Sequence, residues 1–241
     1  MAQKRTIFLH IPKTAGSSFE RVINANTATS HAYIGLRSYL TSKNDCGEFV
    51  KGHMAYGIDF LKLQESRYIT LIRNPTERCI SYYYFVQEWP KHPSYNDAIS
   101  HTIIDFYKMK KYQNIQAKSI GGHILLPNDI LPINLILSTA KHRLLKIFDF
   151  GITEFYAQSV ELMCARLNWN NRPIIHTKQG RMRPLSTSVQ PEILQKIAEL
   201  NDADWQLYCY GKELFKQRCE QLDIRIETNQ DYSDVSNSRQ R

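Results

Sequence analysis

One pattern occurs twice near the start of this chain: a short apolar run, a polar turn, then apolar residues at helical spacing. TIFLH (6–10) is stopped by Pro12 and followed by GSSFERVINAN (16–26), where Phe19, Val22 and Ile23 share a helical face. RYITLIR (67–73) is stopped by Asn74-Pro75-Thr76, which can open a helix running through ERCISYYYFVQE (77–88). Strands that alternate with helices predict a parallel sheet covered by helices. EFVKGHM (48–54) and LLKIFDFGI (144–152) read as further strands. Asn96 to Lys110, Pro132 to Lys141 and Thr153 to Leu167 suit helices, the last with Thr153 as N-cap. PEILQKIAEL (191–200) and DWQLYCYGKELFKQ (204–217) add two amphipathic helices, broken near Asn201-Asp202.

The 241 residues suffice for one substantial core, and a single domain is expected over 1–227. The tail 228–241, TNQDYSDVSNSRQR, has almost no apolar anchor and reads as disordered. Thirty-one basic against twenty-three acidic residues give a net charge of +8, which favours anionic partners without choosing among them. Cys46, Cys79, Cys164, Cys209 and Cys219 are odd in number and show no zinc-ligand spacing, so free thiols in a reducing compartment are expected. The apolar run after MAQKR is too short for a signal or membrane segment, and a cytoplasmic protein is the simplest expectation.

HIPKTAGSS (10–18) carries the chemistry of the first turn. A strand entering a helix at Gly16-Ser17-Ser18 points backbone N–H groups and the positive end of the helix dipole at whatever lies over it. Phosphate fits such a turn: Thr14, Ala15 and Gly16 bring the backbone close, Ser17 and Ser18 add hydroxyls, and Lys13 reaches the next group out. Taken alone, the stretch is equally compatible with a capped helix and a solvated lysine. The second turn adds independent information. A magnesium-dependent P-loop enzyme usually ends its second strand in a metal-holding aspartate, whereas YITLI ends in Arg73. Ser81, about one and a half turns into the next helix, lies within reach of the same anion. The sequence thus offers two anion sites and no evident metal site.

HIPKTAGSS resembles the 5′-phosphosulfate loop, and RNPTERCIS (73–81) the 3′-phosphate motif, of sulfotransferases that use 3′-phosphoadenosine 5′-phosphosulfate (PAPS). The branch most like it contains the heparan and uronyl 2-O-sulfotransferases and their bacterial relatives, and RPLSTSVQPEILQKIAELNDADWQLYCYGKELF (183–215) is similar to that branch's C-terminal helical region. The resemblance implies a P-loop-like α/β three-layer sandwich with a central, mostly parallel β-sheet flanked by helices. It also implies PAPS as sulfuryl donor, no metal, and a hydroxyl acceptor on a glycan or glycolipid. Lys13 would stabilise charge on the oxygen between phosphorus and sulfur, a task for which a lysine and helix-end amides suffice.

Transfer to a hydroxyl also needs a proton acceptor. His53, in VKGHMAYG, matches the Gly-His element that carries the base in that branch; a lone strand-end histidine would otherwise read as structural. His10 is the alternative and fits a supporting place better. Lys178, Arg181 and Arg183 around Gly180 resemble the family's cofactor-covering loop, with a solvated basic loop as the plain reading. Asn114 and Gln116, in YQNIQAKSIGG (112–122), are expected to be hydrogen-bonded loop residues rather than acceptor ligands, and Tyr82 to Phe85 to be core. A P-loop kinase would need the order GxxxxGK[ST] and a carboxylate after a strand, and neither is present. A nucleic-acid binder would cluster its basic residues with exposed aromatics, and here they are dispersed, so no nucleic acid is expected.

Overall fold

The computed structural model describes residues 5–28, 30–33, 49–57, 66–122, 131–146, 148–173, 184 and 188–226. The run 6–9 becomes β1 (Arg5–Leu9), and 16–26 becomes α1 (Gly16–Asn26). After β2 (Ser30–Tyr33) and β3 (Phe49–Gly52) comes β4 (Ser66–Ile72), followed by α2 (Pro75–Gln87). Pro75 occupies the start of α2, and the Asn74 side chain accepts from the Glu77 amide as its cap.

Next come α3 (Tyr95–Ser100), α4 (Ile103–Lys108), α5 (Ile115–Ile120) and α6 (Ile133–Lys146). Then follow β5 (Phe148–Ile152), α7 (Tyr156–Leu167), α8 (Pro191–Leu200) and α9 (Asp202–Glu220).

All pairings are parallel, in the order β2-β3-β1-β4-β5. Successive strand residues face opposite ways, and the core divides accordingly. Ile7, Leu9, Val50, Tyr68, Phe148 and Phe150 pack with α5, α6 and α9 on one face. Phe8, Phe49, Ile69 and Leu71 pack with α1 and α7 on the other. Ile7, Phe8 and Leu9 are all fully buried, each worth about 1.5–3 kcal/mol by transfer from water. A strand buried on both faces reads as the continuous apolar run seen in the sequence. The α/β three-layer sandwich is therefore as expected. Helix α9 lies close on the sheet because Gly211 has no side chain; a Cβ there would meet Ile72 at 2.6 Å. A third cluster joins α2, α4 and α8 through Ile80, Tyr83, Phe106 and Ile197.

Several expectations are corrected. Helix α6 continues through Lys146, so the last strand starts at Phe148 and not at 144. The expected helix over 96–110 is two short ones, because the Thr102 side chain caps a new start by accepting from the Asp105 amide. Thr153 caps nothing: it sits in a 3-10 turn, Thr153–Phe155, and its hydroxyl donates to the Ile72 carbonyl at 3.1 Å. Residues 115–120 are helical, not loop. The tail 228–241 and Cys46 lie outside the described residues; Cys79, Cys164, Cys209 and Cys219 are in no disulfide. No helix among the described residues is long and apolar enough to cross a membrane.

Candidate active site

Strand β1 has β3 on one side and β4 on the other, while the chain reaches β3 only after β2 at the sheet edge. Such a reversal of strand order opens a crevice beyond the carboxyl ends of the strands, where α/β proteins bind ligands. Three turns leave the sheet there: 10–15 after β1, His53 after β3 and Arg73 after β4.

The first turn is held in a shape that side chains rarely adopt. Lys13 and Ala15 both have left-handed backbone angles, φ 69° and 62°. The buried Thr14 hydroxyl donates to the Ile11 carbonyl at 2.9 Å, so Thr14 has its backbone to offer a ligand. Ala15 is the N-cap of α1, gives no side-chain cap, and is followed by no acidic residue in the first turn. The leading amides of the helix and its dipole are thus unanswered by any side chain at the cap, which suits an oxyanion such as phosphate. Ser17 is exposed; Ser18 is buried beside Tyr156. The Lys13 ammonium stands 4.2 Å from the centre of the Phe85 ring on α2.

His10 extends the β1–β3 ladder by one bond, its amide donating to the Gly52 carbonyl at 2.9 Å. Its own carbonyl lies 2.7 Å from His53 Nδ1. A carbonyl only accepts, so Nδ1 carries the proton and Nε2 of neutral His53 is left with a lone pair. Surrounding protein disfavours the charged ring, and neighbouring His10 adds to this, so the His53 pKa is lowered. His10 packs 4.5 Å from the His53 ring and faces Glu20, Nδ1 to Oε1 3.5 Å. The hydrogen bond from His10, and then Lys51 at 3.9 Å, lower the Glu20 pKa against its partial burial. Gly16 is required by this packing, since a Cβ there would come within 2.1 Å of the His10 ring.

Arg73 joins the third turn to the first. One Nη1–H donates to the Lys13 carbonyl at 3.0 Å. Two carboxylates flank the same guanidinium: Glu77 at 3.6 Å and Glu154 at 3.9 Å. Burial raises the Glu154 pKa, opposed by Arg73 and by the Asn74 amide. The Arg73 peptide is fixed by Gln116, whose Oε1 accepts from Arg73 N at 2.8 Å while its Nε2 donates to Arg73 O at 2.9 Å. Ser81, one of the two residues expected to share an anion, is buried on the second turn of α2.

Lys13, Thr14, Ala15, Gly16, Ser17, Ser18, His53 and Arg73 therefore gather at one end of the sheet. Lys178, Arg181 and Arg183 lie outside the described residues. Gln116 and Glu154 were not singled out as anion-site residues by the sequence, because each meets Arg73 from far along the chain. Phe85, expected as core, lies under Lys13 and is only partly buried.

Residues 2–121 match the model of the sulfotransferase family. Human heparan-sulfate 6-O-sulfotransferase 1 is 36% identical over 85 residues, which are 35% of this chain and 20% of that protein. Heparan sulfate 2-O-sulfotransferase 1 of Cricetulus griseus is 31% identical over 103 residues, covering 34% of this chain and 29% of its own. The chain thus matches less than a third of the length of these curated relatives. In fold it is similar to the mouse sulfotransferase SULT7A1, solved in complex with PAP. The TM-score is 0.55 and the identity 13%, over 88% of this chain and 90% of that one.

Proposed function

We propose, for a chain whose residues 2–121 belong to the sulfotransferase family, that it moves a sulfuryl group from PAPS to a hydroxyl of a carbohydrate or glycoconjugate. One observation carries the donor: the Arg73 guanidinium touches the Lys13 carbonyl at 3.0 Å, so the two anion-binding turns adjoin. Adenosine 3′,5′-bisphosphate, the donor without its sulfuryl group, bears phosphates at two positions of one ribose and needs two adjacent sites. The α1 turn, Lys13 to Ser18, would hold the 5′ side; Arg73 with Ser81 would hold the 3′ side. The PAP held by the mouse neighbour and the heparan sulfate in the relatives' names support the donor and the glycan acceptor.

In this reading His53 Nε2 takes the proton of the attacking hydroxyl as its oxygen bonds to sulfur. The bond from sulfur to the phosphate oxygen breaks, and Lys13 with the first amides of α1 stabilises the charge left on that oxygen. His10 and Glu20 hold His53 in the required tautomer and place. The basic loop with Lys178, Arg181 and Arg183 would cover the bound donor.

Thermal unfolding with adenosine 3′,5′-bisphosphate, adenosine 5′-phosphate and ATP with magnesium tests this. A ligand at a hundred times its dissociation constant adds about 2.7 kcal/mol. The bisphosphate should stabilise most; a larger effect of ATP with magnesium would point to a kinase instead. His53→Ala should abolish turnover with bisphosphate binding intact, and unchanged turnover would remove His53 as the base.

A further inference from the structure

Beyond the end of α2 the chain folds back on itself. The Trp89 amide donates to the Val86 carbonyl at 3.2 Å and the His92 amide to the Trp89 carbonyl at 2.8 Å. This turn gathers three rings: Phe85–Trp89 at 5.9 Å, Phe85–His92 at 6.0 Å and Trp89–His92 at 5.4 Å between centroids. Their inner side is anchored, since Tyr82 meets both His92 at 5.8 Å and Phe106 of the packed helical cluster at 6.3 Å. Their outer side is open, with Trp89 48% exposed. The same Phe85 ring lies 4.2 Å from the Lys13 ammonium, so the group is continuous with the proposed transfer site.

We propose that Phe85, Trp89 and His92 form a subsite that seats one pyranose ring of the acceptor against the indole, beside Lys13. It rests on the sulfuryl-transfer reading above and names where that reaction's acceptor is held. The ring geometry selects the ligand class. The three rings meet at 58°, 80° and 63°, forming a corner in which the indole is half-exposed and no two walls are parallel. Two parallel walls that would sandwich a flat aromatic acceptor by offset stacking are not formed by these rings. A sugar presents C–H bonds on one side and hydroxyls around its rim, and so needs one apolar face with donors at its edge. His92 supplies such a donor: Nδ1 accepts from the Ser94 amide at 3.0 Å, which puts the proton of the neutral ring on Nε2. Burial lowers the His92 pKa and keeps that neutral form in place near pH 7.

Isothermal titration with saturating adenosine 3′,5′-bisphosphate decides the matter, using a desulfated heparan octasaccharide and 2-naphthol as probes. The unaltered chain should bind the octasaccharide. Trp89→Ala should weaken it about tenfold or more, as loss of a central aromatic contact does, and Trp89→Phe about threefold or less. Bisphosphate affinity should be the same in all three proteins, which also reports that the variants are folded. Equal octasaccharide affinity in Trp89→Ala overturns the subsite, as does naphthol binding in place of the octasaccharide, or binding of neither probe. If the unaltered chain fails to bind the bisphosphate itself, the donor reading falls first and the subsite with it.

Discussion

The Arg73 guanidinium donates to the Lys13 carbonyl and is flanked by Glu77 and Glu154, so removing it disturbs two places. Arg73→Ala should weaken adenosine 3′,5′-bisphosphate binding about tenfold to a hundredfold, the size of one or two charge-assisted hydrogen bonds. It should also lower kcat, because Lys13 stands in a left-handed conformation that this contact helps to hold. Arg73→Lys should restore little, since an ammonium cannot donate along the fork that reaches three partners. Lys13→Ala should instead lower kcat about 10²- to 10³-fold with bisphosphate affinity nearly unchanged. Titration calorimetry beside steady-state kinetics separates the two patterns, and their exchange would reverse the roles. His53 adds a pH signature. His53 is exposed on one side, but the protein packed around the rest of its ring, and then His10, lower its pKa, so the base form persists below the ordinary histidine range. The kcat/KM profile should rise with pH through a value under about 6.5 and stay flat above it. The linked stability has the same sign: the unfolded chain binds the proton first, so stability is lost as pH falls from about 6.5 through the lowered folded value. Glu20 raises the His53 pKa, and Glu20→Gln should move the acid limb to still lower pH. An unmoved limb would show that Glu20 does not act on His53.

Helix α5 shows why part of the site is invisible in a linear reading. Its N-cap, Asn114, has a left-handed φ of 54° and makes no side-chain cap bond. The caps come from α9: Asp204 accepts from the amides of Gln116 at 3.2 Å and Ala117 at 2.8 Å, 88 and 87 residues away. No local signal for a helix start exists, so 112–122 reads as loop although 115–120 folds as helix. The clamp on Arg73 depends on that helix, because Gln116 reaches the Arg73 peptide across 43 residues. Strand β2, four residues of SHAY, lacks the apolar run that marked β1 and β4. By contrast, the turns after β1, β3 and β4 were legible, since each is a buried strand ending in a polar or glycine-bearing stretch. Gln116→Leu should leave the Arg73 amide and carbonyl without their partners, costing about 1–3 kcal/mol of stability. It should also weaken bisphosphate binding without altering the Lys13-dependent chemical step. Urea unfolding and single-turnover kinetics would check both, and a variant with lowered stability but unchanged affinity would make Gln116 a purely structural clamp.

The sheet and its helices tie the crevice to the stability of the whole chain. Turns after three adjacent strands form the site, and all three, β1, β3 and β4, contribute to the clusters on both faces. Through Gln116 and Asp204 the Arg73 turn is linked to α9, which packs on α6 and β5. A ligand bridging the α1 turn and Arg73 therefore holds together elements that separate only when the core opens. Adenosine 3′,5′-bisphosphate at a hundred times its dissociation constant should move the urea midpoint upward by the equivalent of about 2.7 kcal/mol. The slope of the transition should stay the same, because the surface exposed on unfolding is unchanged. Fluorescence from the partly buried Trp169 and Trp205, which pack on opposite faces of the sheet, should report one coincident transition. Two transitions, with the bisphosphate shifting only the one seen at Trp205, would mean that the Arg73 side unfolds as a separate unit and that the two anion-binding turns are not energetically joined.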